Sequence, residues 1–175
     1  MADVNRHLRG KTNEIEIDVH GKVVVEKGDF MVMFNTSSTL LSSYTETTAD
    51  YYGYPVSYLR DVTDSYYANQ FIGIAMLSSE AGVTEKIPIA TTGIFRYPLT
   101  TVTGVTATHL VCGSTSAAKV AYDQQVVSRT RAQVSDICRN IFGTCVKTES
   151  GASTVDFMLH TRWSGVTIVD FGLSI

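Results

Sequence analysis

The residues able to do chemistry are scattered along the chain. Four histidines, His7, His20, His109 and His160, stand far apart, and none has a second ligand at helical or hairpin spacing, so no metal site is expected. Three cysteines, Cys112, Cys138 and Cys145, lack metal spacing and lack a local acid–base partner that would activate a thiolate. An odd number makes a poor disulfide framework, so reduced thiols packed as small hydrophobes are expected. No Gly-x-Ser-x-Gly elbow activates a serine, and no phosphate-binding glycine loop or dinucleotide fingerprint is present. Glu149 and Asp156 flank a turn and are expected in solvent, while Arg96, between Phe95 and Tyr97, is expected at the rim on a strand. No catalytic residue and no cofactor are called for. The chemistry that remains is association.

Residues suited to association are concentrated. Seven of the nine tyrosines, Tyr44, Tyr51, Tyr52, Tyr54, Tyr58, Tyr66 and Tyr67, fall between Thr36 and Asn69 among Ser, Thr and Asp, with no clear periodicity. A connection this long is more often a partner-binding loop than a plain linker. Tyrosine suits such a role, being apolar in body and polar at the tip. The other reading is that these rings cover a barrel mouth as ordinary packing. A short strand or turn is expected at Val56–Val62. The single tryptophan, Trp163, lies in the tail, and the polar stretch Met1–Asn13 carries Arg6, Arg9 and Lys11 with almost no apolar content. That stretch reads as an arm, free or ordered by a partner. From Met31 to Thr100 three basic residues face six acidic ones, so the segment reads either as a solvated face or as a match for a basic partner.

These residues need a scaffold, and composition points to its class. The 175 residues suit one domain; 44% are hydrophobic and 18% charged, against a typical charged share of about 25%. Thr and Val lead the composition, and β-branched residues fit a pleated surface, so an all-β protein is expected. A net charge of -3 argues against nucleic acid, which demands clustered Lys and Arg. No run of 18 apolar residues and no apolar signal core near Met1 is present, so no membrane partner is expected and synthesis in the cytoplasm is.

Phe71–Pro98 is the organising stretch. Phe71–Leu77 is apolar on both alternating faces, which predicts a strand covered on both sides. Ser78–Gly82 supplies a turn, and Ile87, Ile89, Ile94 and Phe95 resume the pattern. Pro88 predicts an edge strand, a strand start or a bulge. Thr92-Gly93 predicts a bend, and the strand is expected to leave the core at Tyr97-Pro98, at a barrel or sandwich corner. Elsewhere, Glu14–Asp18 and Val23–Val25 read as a hairpin about His20-Gly21, Glu26–Asp29 as a turn, and Phe30–Phe34 as a strand. Thr100–Val111 reads as strand, with Gly104 a bulge or turn, Gly113–Lys119 as loop, and Tyr122–Ser128 as strand. Thr130–Gly143 has capping-box spacing, an apolar face and a terminal glycine, predicting one short helix, although Ile137–Val146 also suits a strand. Thr144–Lys147 and Thr154–Thr161 predict a last hairpin around Glu149–Gly151. Arg162–Ile175 alternates as an added edge strand or as an element pairing with a neighbour.

The order Phe-Ile-Gly-Ile-Ala, a Gly-containing turn, then Ile-Pro-Ile-Ala-Thr-Thr-Gly-Ile-Phe-Arg-Tyr-Pro resembles the central signature of tailed-phage capsid decoration (cement) proteins, related to the lambda-type head decoration proteins. Flanking blocks match too: Glu26–Asp29 before Phe30–Phe34, Gln124–Val127, Phe142–Val146, Ser150–Ala152 and Val155–Leu159. The match spans roughly Glu14 to Thr161. Where relatives carry a small turn residue and an acid, this chain has Ala107-Thr108-His109.

The resemblance implies a small β-barrel of the β-tulip kind (14–161) with an extended N-terminal arm (1–13); the Tyr-rich stretch (36–69) reads as an insertion in it, and the C-terminal strand or tail (162–175) lies beyond the match. It implies a protein of the virion, on the outer surface of the expanded phage head, that stabilises the head by bridging neighbouring major capsid proteins. Relatives imply a homotrimer, with a dimer as the other form. Contact residues would be Arg6, Arg9, Lys11, the seven tyrosines of the loop, and Trp163. The alternative is a phage tail or fibre-associated β-domain that binds host glycans, and a third reading is a small hydrolase whose site the fold assembles.

Overall fold

The stretch Phe71–Pro98 joins the two sheets of the molecule. The computed structural model describes residues 7–9, 12–35, 51–56, 71–113, 124, 126–130 and 141–161. Within it, β5 (Phe71–Ala75) is buried at every position, as a strand apolar on both faces must be. The strand β6 (Glu85–Ala90) runs back beside it, and the chain bends at Thr91–Gly93, where Gly93 has φ 136°, into β7 (Ile94–Val105) in the other sheet. The bend predicted at Thr92-Gly93 is therefore a crossing from sheet to sheet. At Gly73, φ is 151° and a Cβ would stand 2.0 Å from the Ala90 carbonyl oxygen. Only glycine fits there, and the ladder slips beside it.

Around β5 and β6 the first sheet adds β2 (Glu14–Val19), β3 (Phe30–Asn35) and β4 (Tyr51–Pro55), in the antiparallel order β2-β6-β5-β3-β4. The second sheet comprises β1 (His7–Arg9), β7, β8 (Leu110–Gly113), β9 (Val126–Arg129), β10 (Ile141–Cys145) and β11 (Glu149–Leu159), in the order β1-β7-β11-β10-β8-β9. No α-helix occurs among the described residues. This sheet curls until β9 meets β7 in parallel at Leu99–Val126. The register shows how. Between the pairs Ala152–Thr103 and Thr154–Pro98, β11 advances two residues and β7 five, so β7 swings out of the ladder where Leu99 reaches β9. The fold is all-β, as the composition predicts, and its curled sheets form a half-barrel, consistent with the small barrel that the resemblance implies.

An aromatic cluster fills the space between the sheets. Phe30 stacks on Phe142 with centroids 4.2 Å apart and planes 10° from parallel, while Phe71 and Tyr97 flank the pair at 4.8 Å. Offset and stacked rings of this kind add roughly 0.5–1.5 kcal/mol each to their burial. Tyr97 also donates its hydroxyl to the Gly28 carbonyl, tying the predicted turn at Glu26–Asp29 to the core.

Several expectations are corrected. The predicted hairpin does not form: β2 pairs with β6, and Val23 and Val25 are buried with their backbone groups held by Ser79. Pro88 lies inside the sheet, opposite Met76 and one residue beyond the β5 ladder, and contributes its carbonyl to the Met76 N–H at 2.9 Å. Strand β7 does not leave the core at Pro98, since Tyr97 and Leu99 are both buried. Ile141–Gly143 is strand, not a helix end; a Cβ on Gly143 would stand 2.1 Å from the Met158 carbonyl oxygen. Glu149–Gly151 already belongs to β11, which moves the hairpin connection to Val146–Thr148. The remainder of the predicted helix (131–140), the loop at 114–119 and the tail at 162–175 lie outside the described residues.

Candidate contact surface

Strand β4 emerges from the Tyr-rich stretch because Tyr51–Pro55 pairs along its whole length with Met31–Asn35. It then meets β2. A Cβ on Gly53 would stand 2.8 Å from Ile17 Cγ2 and 3.8 Å from the Asp18 carbonyl oxygen, so the first sheet curls until its two outer strands touch. Three predicted contact tyrosines are thereby positioned. Tyr51 is 66% exposed, the most open large hydrophobic ring among the described residues. Tyr52 is half-buried and meets the His20 ring edge-on at 5.3 Å. Tyr54 is only 1% exposed and belongs to the core, which removes it from the contact set. Its position on β4 turns it inward beside Val32, its cross-strand neighbour.

Beside this seam, β2 presents Glu14, Glu16 and Asp18 to solvent, opposite Ala90, Pro88 and Lys86. Alternation puts the acids on one face and Ile15, Ile17 and Val19 on the other. Within the predicted arm, His7–Arg9 pairs with β7 at Phe95 and Ile94, so Arg9 sits on the edge strand of the second sheet. Arg6, Lys11, Tyr44, Tyr58, Tyr66, Tyr67 and Trp163 lie outside the described residues.

Two polar clusters escaped the sequence reading. Asp156, expected in solvent, accepts Arg96 Nε at 2.6 Å and Nη2 at 2.8 Å as a bidentate pair across β7 and β11. The side chains are 12% and 41% exposed respectively, so the carboxylate is the buried partner. Its hydrogen bond and charge raise the Arg96 pKa further. Next to the pair, at the slip in the ladder, a pocket of about 140 Å³ is lined by Arg96, Asp156, Thr154, Lys147 and Glu149 over Val105 and Val155. Lys147 and Glu149 form their own pair at 2.8 Å.

The second cluster joins the residue before β8 to strands β9 and β10. His109 Nδ1 lies 3.1 Å from Ser128 Oγ, which lies 3.7 Å from Cys145 Sγ. Burial pushes the Cys145 thiol up, the hydrogen bond with Ser128 pulling the other way. No local signal marks these residues; only the order β10-β8-β9 unites them. At the end of β11, His160 buries Nε2 without a partner, and burial pushes its pKa down. Among the described residues no group of three or more His, Cys, Asp or Glu could hold a metal. Neither a protein-family model nor a curated protein matches the chain.

Proposed function

We propose that this chain is a capsid decoration protein that binds the outer surface of the expanded phage head and bridges neighbouring major capsid proteins. The observation that carries the reading is the stretch Phe71–Pro98. The residues that carry the resemblance are β5, β6, the crossing at Thr91–Gly93 and the start of β7, the framework of the fold. The exposed Tyr51 ring and the edge strand β1 support the contact surface, since an edge strand offers main-chain bonds to a partner and Tyr offers broad contact at low entropic cost. The mechanism is mass action. A protein that binds only the expanded lattice stabilises that state, and many copies, as trimers or dimers, multiply a modest affinity. Co-sedimentation with expanded and unexpanded capsids tests it. Saturable binding to expanded shells alone, weakened by Tyr51→Ala and by deletion of residues 1–13, is expected; binding to neither form overturns the reading.

Tyr51 also supports the glycan-binding alternative, because sugars stack on exposed rings. Saturable binding on a glycan array, lost in Tyr51→Ala, would favour it over decoration.

A further inference from the structure

The cluster His109–Ser128–Cys145 is separate from the contact surface and plays no part in the decoration reading. It stands at one end of the ring closed by β7 and β9. Val111 and Val126 are buried inward positions of that ring. Ser128 is two residues beyond Val126 and pairs with Val111, so its hydroxyl turns to the same side. Val111 and Val126 fill the space behind it, while Ser128 and His109 remain partly exposed.

The backbone holds the imidazole in place at a conformational cost. Thr106–His109 is a tight turn closed by the His109 N–H to the Thr106 carbonyl at 3.0 Å, and its third residue, Thr108, has φ 82°. Glycine normally takes that position, and a β-branched residue there is strained. The turn is clamped to β10 by two more bonds: Thr108 N–H to the Cys145 carbonyl at 3.0 Å, and Cys145 N–H to the His109 carbonyl at 2.8 Å. Backbone strain of this kind clusters where a side chain must be aimed.

We infer that Ser128 is a nucleophilic serine with His109 as its base, and that it reacts with small carboxylic esters. The 3.7 Å contact of Ser128 with Cys145 admits either atom as donor, and the reaction uses the direction in which the thiol donates to Oγ. The serine hydroxyl then directs its own proton to His109 Nδ1, which requires the imidazole tautomer protonated on Nε2. Ser128 Oγ bonds to the acyl carbon as its proton passes to His109 Nδ1. The ester C–O bond breaks, and the departing alcohol takes that proton. Water repeats the sequence, releasing the acid and restoring the serine. The ester must be small, because the reacting hydroxyl is half-buried at the end of a filled ring.

The test treats the full-length protein with a fluorophosphonate probe and maps the adduct by mass spectrometry. Expected is a single adduct on Ser128, formed at least tenfold more slowly in His109→Gln and absent in Ser128→Ala. If either variant fails to fold, the map of the unaltered protein decides: an adduct at Ser128 supports the assignment, and one elsewhere refutes it. No adduct on the folded protein, or equal labelling in folded His109→Gln, shows that the pair is a structural hydrogen bond only.

Discussion

Gly53 packs against Ile17 across the seam of the first sheet, where a Cβ would come within 2.8 Å of the isoleucine Cγ2 and 3.4 Å of Met31 Cε. The approach of β4 to β2 therefore depends on a missing side chain. Because the nearest obstacle is a side-chain methyl, Gly53→Ala forces repacking without blocking the fold. A loss of about 1–3 kcal/mol is expected in urea unfolding. An unchanged midpoint would mean that the seam is looser than described.

Ser79 is expected to hold the segment that follows β2. Its Oγ accepts the Val25 N–H at 2.8 Å and donates to the Val23 carbonyl at 3.3 Å, while its own N–H bonds the Val25 carbonyl at 2.9 Å. Ser79→Ala leaves a partly buried N–H unsatisfied, which costs about 1–3 kcal/mol. Hydrogen exchange at Val25 should accelerate in the variant while exchange in β11 changes only by the global loss.

The Arg96–Asp156 pair should show measurable coupling. A double-mutant cycle with Arg96→Ala and Asp156→Ala is expected to give about 1 kcal/mol, a figure limited by the solvent around the guanidinium. Raising the salt should shrink it. The single change Arg96→Ala should cost more than the coupling alone, because it strands the more buried carboxylate. A coupling of zero at low salt would remove the pair from the account of how β7 and β11 align.

His160 predicts acid sensitivity. Burial holds its folded pKa below the ordinary 6.5. The unfolded chain therefore takes up the proton first as pH falls, and the folded state loses ground. Stability attributable to this group is complete above pH 6.5 and is lost as pH drops towards the folded value. Unfolding midpoints measured between pH 8 and pH 5 should fall, and His160→Leu should flatten part of that slope. An identical slope in the variant would assign the acid sensitivity to the carboxylates.

The parts of the fold legible in the sequence are those where pattern alone decides. β5 is apolar on both faces and Thr92-Gly93 marks a bend, so both could be read directly, whereas the corner expected at Tyr97-Pro98 falls inside β7. β4 was hidden because Gly53 and Pro55 look like punctuation; the glycine is there for Ile17, which no local pattern reveals. The false hairpin has a similar cause. Val23 and Val25 alternate like a strand, but their backbone partner is Ser79, 54 residues from Val25. The end of the predicted helix failed because Gly143, which resembles a cap, serves close strand packing against Met158. That Tyr51 is exposed and Tyr54 buried was not legible, since which tyrosines face inward depends on the pairing of β4 with β3. Arg96 and Asp156 lie 60 residues apart, and His109 stands just before β8 while Ser128 and Cys145 sit on β9 and β10. Register, not spacing, brings each group together.

The crossing at Thr91 has a consequence for chain connectivity. The Asn13 carbonyl accepts both the N–H and the hydroxyl of Thr91, and the Thr91 carbonyl accepts the Thr161 hydroxyl at 3.0 Å. Asn13 and Thr161, at the two ends of the main body, thus share one hydrogen-bonding neighbour, and its backbone is nearly a closed loop. A short linker joining positions 13 and 161, with new ends opened at the exposed turn Glu80–Gly82, would preserve every strand of both sheets except β1. By the same geometry, chains leaving the two positions start beside the same buried residue, Thr91.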